Sequence, residues 1–189
     1  NTASGQWSTV LNGSTNNASN QYAFIATGNN NTASGNRGAV LTGEGNTAGG
    51  WKSVVLGGNN NTANSESSMV GVGSANVVTG SSSIICSGAN NSISVETQGF
   101  IGTGGSNSVT RYGGAIVSGL SNANAGYHAF IGNGRNNTIT SAPGASFSAI
   151  TAGFYNTIPT NVLAAGIHVS VGANARNTGE YQAAGEIGR

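Results

Sequence analysis

Aspartate is absent from this chain of 189 residues, and charge of either sign is scarce. Six Lys/Arg and five acidic residues, all Glu, make up 6%, against about 25% in an ordinary soluble domain. The cations Arg37, Lys52, Arg111, Arg135, Arg176 and Arg189 are scattered along the chain. Binding a nucleic-acid backbone needs them clustered, so that function is excluded. Cys86 is the one cysteine, which excludes an internal disulfide framework and a zinc cluster. It follows Ile84-Ile85 and reads as a small packed hydrophobe. No apolar run approaches the ~20 residues of a membrane span, so no membrane insertion is expected. No stretch resembles a signal peptide or lipidation motif. Leu, Ile, Val and Phe number only 36, near the level at which disorder sets in. The net charge of +1 nevertheless lacks the charge excess of disordered chains.

What is abundant is Gly (32) and Asn (27), and both are periodic. Gly13, Gly28, Gly43, Gly58, Gly73 and Gly88 are spaced by 15; Gly104, Gly119 and Gly134 continue at 16, 15 and 15; Gly153 and Gly172 follow at 19 each. Three residues after the Gly stands Asn in ten units, Asn16, Asn31, Asn46, Asn61, Asn76, Asn91, Asn107, Asn122, Asn137 and Asn156, and Ala175 in the eleventh. Three before it stands a β-branched aliphatic: Val10, Ile25, Val40, Val55, Val70, Ile85, Ile101, Ile116, Ile131, Ile150 and Val169. Five after it comes a smaller apolar column: Ala18, Ala33, Ala48, Ala63, Val78, Ile93, Val109, Ile139 and Ile158, broken by Asn124 and Asn177.

A 15-residue unit is too short for a helical-hairpin repeat or a propeller blade, and Gly with β-branched residues disfavours helix. It suits one coil of a β-solenoid, with two strands of four to five residues and two turns. The predicted fold is therefore all-β: a parallel β-solenoid of about 11 coils of 15–19 residues in one domain, 1–189, with regular coils over 1–139 and lengthened coils over 140–189. Equivalent residues of adjacent coils stack about 4.8 Å apart. The Val/Ile column is then the structural core, and the Gly column marks a turn that needs positive φ or close approach. The Asn column forms a side-chain amide ladder in the turn that follows.

Positions four and two before the Gly are also often apolar, as at Phe24, Leu41, Val54, Leu56, Phe100 and Phe130. They face opposite to the core column. A second apolar face asks for burial by association, and three rolls around an axis is the expected arrangement. Phe24, Phe100 and Phe130 are the candidate subunit interface. Tyr112, Tyr127 and Trp51 are candidate receptor contacts, either for a surface glycan or for a protein. The stretches Ser53 to Ala63 (SVVLGGNNNTA) and Tyr22 to Gly35 (YAFIATGNNNTASG) resemble the head repeats of YadA-like trimeric autotransporter adhesins and related phage and viral fibres. The resemblance covers essentially the whole chain. It implies a left-handed β-roll, a homotrimer, an extracellular place on a cell surface or virion fibre, and adhesion.

The inventory for catalysis is thin, so no enzyme, cofactor or metal site is expected. Glu66 and Glu96 share a column two coils apart, a separation within the range of paired glycosidase carboxylates, which makes a polysaccharide-degrading fibre a minor reading. Glu96 and Arg111 read instead as a surface pair. Thr32, Thr47, Thr62, Thr138 and Thr157 form a hydroxyl column, interrupted by Val77 and Ala123, which makes ice binding another. The lengthened coils carry both prolines, near 141–146 and 159–163, and insertions of this kind map to loops on one face. Residues 1–5 match 31–35, and 186–189 match 130–133, so the repeat is cut mid-coil at both ends. The chain is then either a piece of a longer array or a subunit that stacks head to tail into a filament.

Overall fold

The computed structural model describes residues 1–94, 98–140 and 147–159, together with the strand at 168–169. Among these residues every regular element is a β-strand of two residues, and the strands fall into two parallel sheets of 11. The first sheet starts at Thr2–Ala3 and Asn17–Ala18 and ends at Thr157–Ile158. The second starts at Thr9–Val10 and Phe24–Ile25 and ends at Ala149–Ile150 and His168–Val169. The chain alternates between them, and each strand pairs with its equivalent one coil later. Val55, for example, stands opposite Val40 on one side and Val70 on the other. The architecture is a parallel β-solenoid of about ten turns.

Two details depart from the expected coil. The strands are two residues long rather than four to five, although coil-to-coil bonding runs on beyond them: Leu11 and Asn12 N–H donate to Ile25 and Ala26 C=O at 3.0 Å each. Each coil also bends three times rather than twice. A third rank of parallel bridges, from Ser14–Asn29 to Arg135–Phe154, lies between the two sheets. The reason is in the backbone. Lys52 (φ 55°), Gly58 (φ 95°) and Asn60 (φ 54°) all take positive φ within one coil, and each such residue turns the chain and ends a strand.

The interior is built as two stacked columns. Ile25, Val40, Val55, Val70, Ile85, Ile101, Ile116, Ile131 and Ile150 are fully buried, and Val10, in the first coil, is partly buried. Val169 lies in the last strand of its sheet, and its side chain falls outside the described residues. The facing column holds Ala in the early coils (Ala18, Ala33, Ala48, Ala63) and Val or Ile later (Val78, Ile93, Val109, Ile139, Ile158), all buried. Full burial of one Val or Ile contributes ~1.5–3 kcal/mol, and the coil repeats that contribution along the axis.

Asn124 interrupts this second column but is not a defect. It is buried and stands in register between Val109 and Ile139. Its Nδ2 donates to Ala115 O at 3.1 Å and Ala129 O at 2.7 Å, and its Oδ1 accepts from Gly126 N–H at 3.2 Å. A buried amide with its hydrogen bonds made is tolerated where an unpaired one is costly.

Candidate functional site

The Gly and Asn columns make one corner of each coil. The Asn side chains, from Asn16 to Asn156, are all buried. Around Asn61 the pattern is complete. Its backbone N–H and its Nδ2 reach Asn46 Oδ1 at 2.9 and 3.2 Å. Nδ2 also donates to Gly57 O within the coil at 3.0 Å and to Gly73 O of the next coil at 2.9 Å. In turn Asn61 Oδ1 accepts from Asn76 N–H and Nδ2, both at 3.0 Å. One amide therefore satisfies backbone groups of its own coil and of both neighbours. The column Gly is required twice over: Gly58 holds φ 95°, and a Cβ there would collide with Gly73 O. The buried side of this corner is structural.

The outward face of the second sheet is apolar. Val54 is half-buried, and Leu41, Leu56 and Val117 are exposed. Phe24 is half-buried, while Phe100 and Phe130 are 37% and 39% exposed. Large residues face small ones within a coil. A Cβ on Gly102 would stand 3.5 Å from Phe100 Cε1, and one on Gly132 would stand 3.3 Å from Phe130 Cε1, so each ring lies over a glycine and the face is levelled. From Thr9 to Thr151 the 20 outward positions of this sheet include no charged residue. Cys86 stands two before Gly88, in the column of Leu41 and Leu56, and is exposed on this face. It stands two residues after Ile84, on the same side of the strand, while Ile85 takes the core. The outward face of the first sheet is polar instead. Thr32, Thr47, Thr62, Thr138 and Thr157 lie on it half-buried, with Val77 exposed among them.

The second corner, between the first sheet and the second, carries the aromatics. Trp7 and Tyr22 stack at 5.0 Å with 16° between planes, and the Arg37 guanidinium lies 5.5 Å from the Tyr22 ring centroid. One coil further Lys52 Nζ sits 3.9 Å from the Trp51 ring centroid. Later in the chain Tyr112 meets His128 edge-on at 5.0 Å, and His128 stacks on Phe147 at 5.3 Å. Arg111 lies 5.3 Å from the Tyr127 ring centroid and donates from a guanidinium nitrogen to Tyr127 Oη at 3.3 Å. Trp51, Tyr112 and Tyr127 thus share one corner column, but Trp51 belongs to a separate group, four coils before Tyr112 and five before Tyr127. Residue type alone marks the exposed rings, Trp7 and Tyr22 with Trp51, but not the cations Arg37 and Lys52 that lie over them. The column six before the Gly, read down the chain, was the available signal.

Glu66 is exposed on this corner, and Glu96 lies outside the described residues, as do Arg176, the 141–146 insertion and residues 186–189. Among the described residues no three His, Cys, Asp or Glu side chains gather as a metal site. No helix among them is long and apolar enough to cross a membrane. No protein-family model matches the chain, and no curated protein matches it.

Proposed function

We propose that the chain is a structural and adhesive segment of an extracellular fibre, on a cell surface or a virion. In this reading it is a left-handed β-roll that assembles as a homotrimer through the outward face of the second sheet. The observation that carries the reading is that face itself: apolar, charge-free, levelled by ring-over-glycine packing and continuous over ten coils. Nine coil steps make it about 45 Å long, and a contiguous apolar strip of this kind marks an interaction surface. Parallel copies around an axis bring equivalent columns together, so Phe meets Phe and Leu meets Leu. The polar first sheet and the aromatic corner then remain outside as the surface available for attachment.

Solution mass tests the assembly. Sedimentation equilibrium at micromolar concentration is expected to give three times the chain mass, and a Val54→Lys/Leu56→Lys variant is expected to sediment as a folded monomer. Both positions point outward, so the coil itself tolerates the change. A parent that sediments as a monomer overturns the assembly. Species that lengthen without limit as concentration rises overturn it in favour of head-to-tail stacking.

A further inference from the structure

Each coil contains two left-handed corner residues, and the two corners use different amino acids. Two positions after the Gly, the left-handed residue is Asn30, Asn60, Asn90 or Asn136 in four coils, Gly45 in another, and Ala or Ser in three more, with Thr15 and Tyr155 as the exceptions. That is what the conformation favours, since Gly and Asn enter it at least cost. Six positions before the Gly the same conformation is held by Trp7 (φ 57°), Tyr22 (φ 56°), Arg37 (φ 58°) and Lys52 (φ 55°) in successive coils. A left-handed residue with a bulky side chain costs ~1–2 kcal/mol. One aromatic stack returns ~0.5–1.5 kcal/mol and an exposed cation–π contact ~0.5–1 kcal/mol. Four strained positions against one stack and two cation–π contacts leave no surplus stability to explain the choice of residues. Strain that stability does not repay points to function.

The chemistry of this corner is specific. Trp7 is 62% exposed, Tyr22 44% and Trp51 42%. Beside the rings runs an amide ladder: Gln21 Nε2 donates to Gln6 Oε1 at 3.1 Å, and Asn36 Nδ2 donates to Gln21 Oε1 at 3.2 Å. Arg37 and Lys52 stand one coil apart, and the nearest acid on the same corner is Glu66, a coil beyond Lys52. Ring surface suits the C–H faces of sugar rings, side-chain amides suit hydroxyls, and two adjacent cations suit carboxylate or sulfate groups along a chain. The stack also holds the side chains in place before anything binds, which lowers the ordering cost.

We infer that the left-handed corner of the first four coils, centred on Trp7, Tyr22, Arg37 and Lys52, binds an acidic polysaccharide bearing carboxylate or sulfate groups. This rests on the adhesive reading and names its ligand class and its place, which is the early group rather than Tyr112 and Tyr127.

The test uses the full chain with heparin and polygalacturonate as probes, dextran as the neutral control and polyglutamate as the acidic non-sugar control. Binding is expected for the two acidic polysaccharides, weakening as salt rises, with none for dextran and little for polyglutamate. A Tyr22→Asn/Arg37→Asn variant is expected to bind at least about tenfold more weakly. Asn fits the left-handed backbone, so its circular dichroism should match the parent. Arg135→Asn, an exposed cation on the other corner, should bind as the parent does. Failure of both acidic polysaccharides to bind, equal binding of polyglutamate, or an unweakened Tyr22/Arg37 variant would overturn the inference. Sedimentation of the same samples separates the two readings: a trimer that ignores heparin sinks only the ligand, and a monomer that binds it sinks only the assembly.

Discussion

The two corners of the coil contrast in what holds them. The Gly–Asn corner is held from inside by a buried amide that serves three coils, and its column Gly and ladder Asn do not vary from Gly13 to Asn156. The aromatic corner is held by backbone bonds and a short hydroxyl tie. Lys52 N–H donates to Asn36 O at 2.9 Å, Ser53 N–H to Gly50 O at 3.2 Å, and Ser53 Oγ to Gly50 O at 2.8 Å. No exposed side chain takes part in that tie. The sequence at its tip is therefore free to vary, and over ten coils it does, from Trp7 through Ser67 and Ser82 to Phe147. In a stacked fold, variation collects where the hydrogen bonds do not depend on it.

The sharpest break of this contrast is Asn61→Leu. It strands the Asn76 N–H and withdraws a donor from Gly57 O and Gly73 O. Leaving buried polar groups unpaired costs ~1–3 kcal/mol each, so a loss of about 3 kcal/mol or more is expected in denaturant unfolding. Ser53→Ala, the corresponding cut at the aromatic corner, removes one bond and should cost only about 1 kcal/mol. Equal losses would show that the corners are held alike. Next in size is Gly58→Ala. Positive φ alone makes Ala cost more than ~1 kcal/mol there, and collision with Gly73 O adds to it. An unchanged unfolding midpoint would mean that the corner relaxes freely. The smallest effect is expected at Lys52→Asn, where relief of backbone strain and loss of the Trp51 contact nearly cancel, leaving a change below about 0.5 kcal/mol. A large destabilisation would show that the exposed aromatic corner is structural after all.

Much of the fold is legible in the residues because a solenoid writes itself as columns. A 15-residue period with Val55, Gly58, Asn61 and Ala63 in fixed relation can be satisfied only if equivalent residues stack, and the parallel pairing of Val40, Val55 and Val70 is that stacking. Strand length is hard to read because the left-handed backbone at Lys52 leaves no mark in residue type: lysine gives no hint of positive φ. Ile84, Ile85 and Cys86 are all apolar, yet the column register alone puts Ile85 inside and its two neighbours outside. The aromatic corner was only half legible. Its members occupy two adjacent columns, and rings from neighbouring columns meet only once the backbone turns them outward together.

The sequence by itself determined the repeat, the inward columns and the near absence of charge, since like charges stacked about 4.8 Å apart would repel. Only the tertiary structure decided which polar residues are buried and which are open. Asn59, Asn60 and Asn61 are three identical neighbours. One bridges coils on the surface, one turns the chain with positive φ, and one lies buried in the ladder. Their side chains are the same, and the difference comes from where the backbone points each of them relative to the next coil.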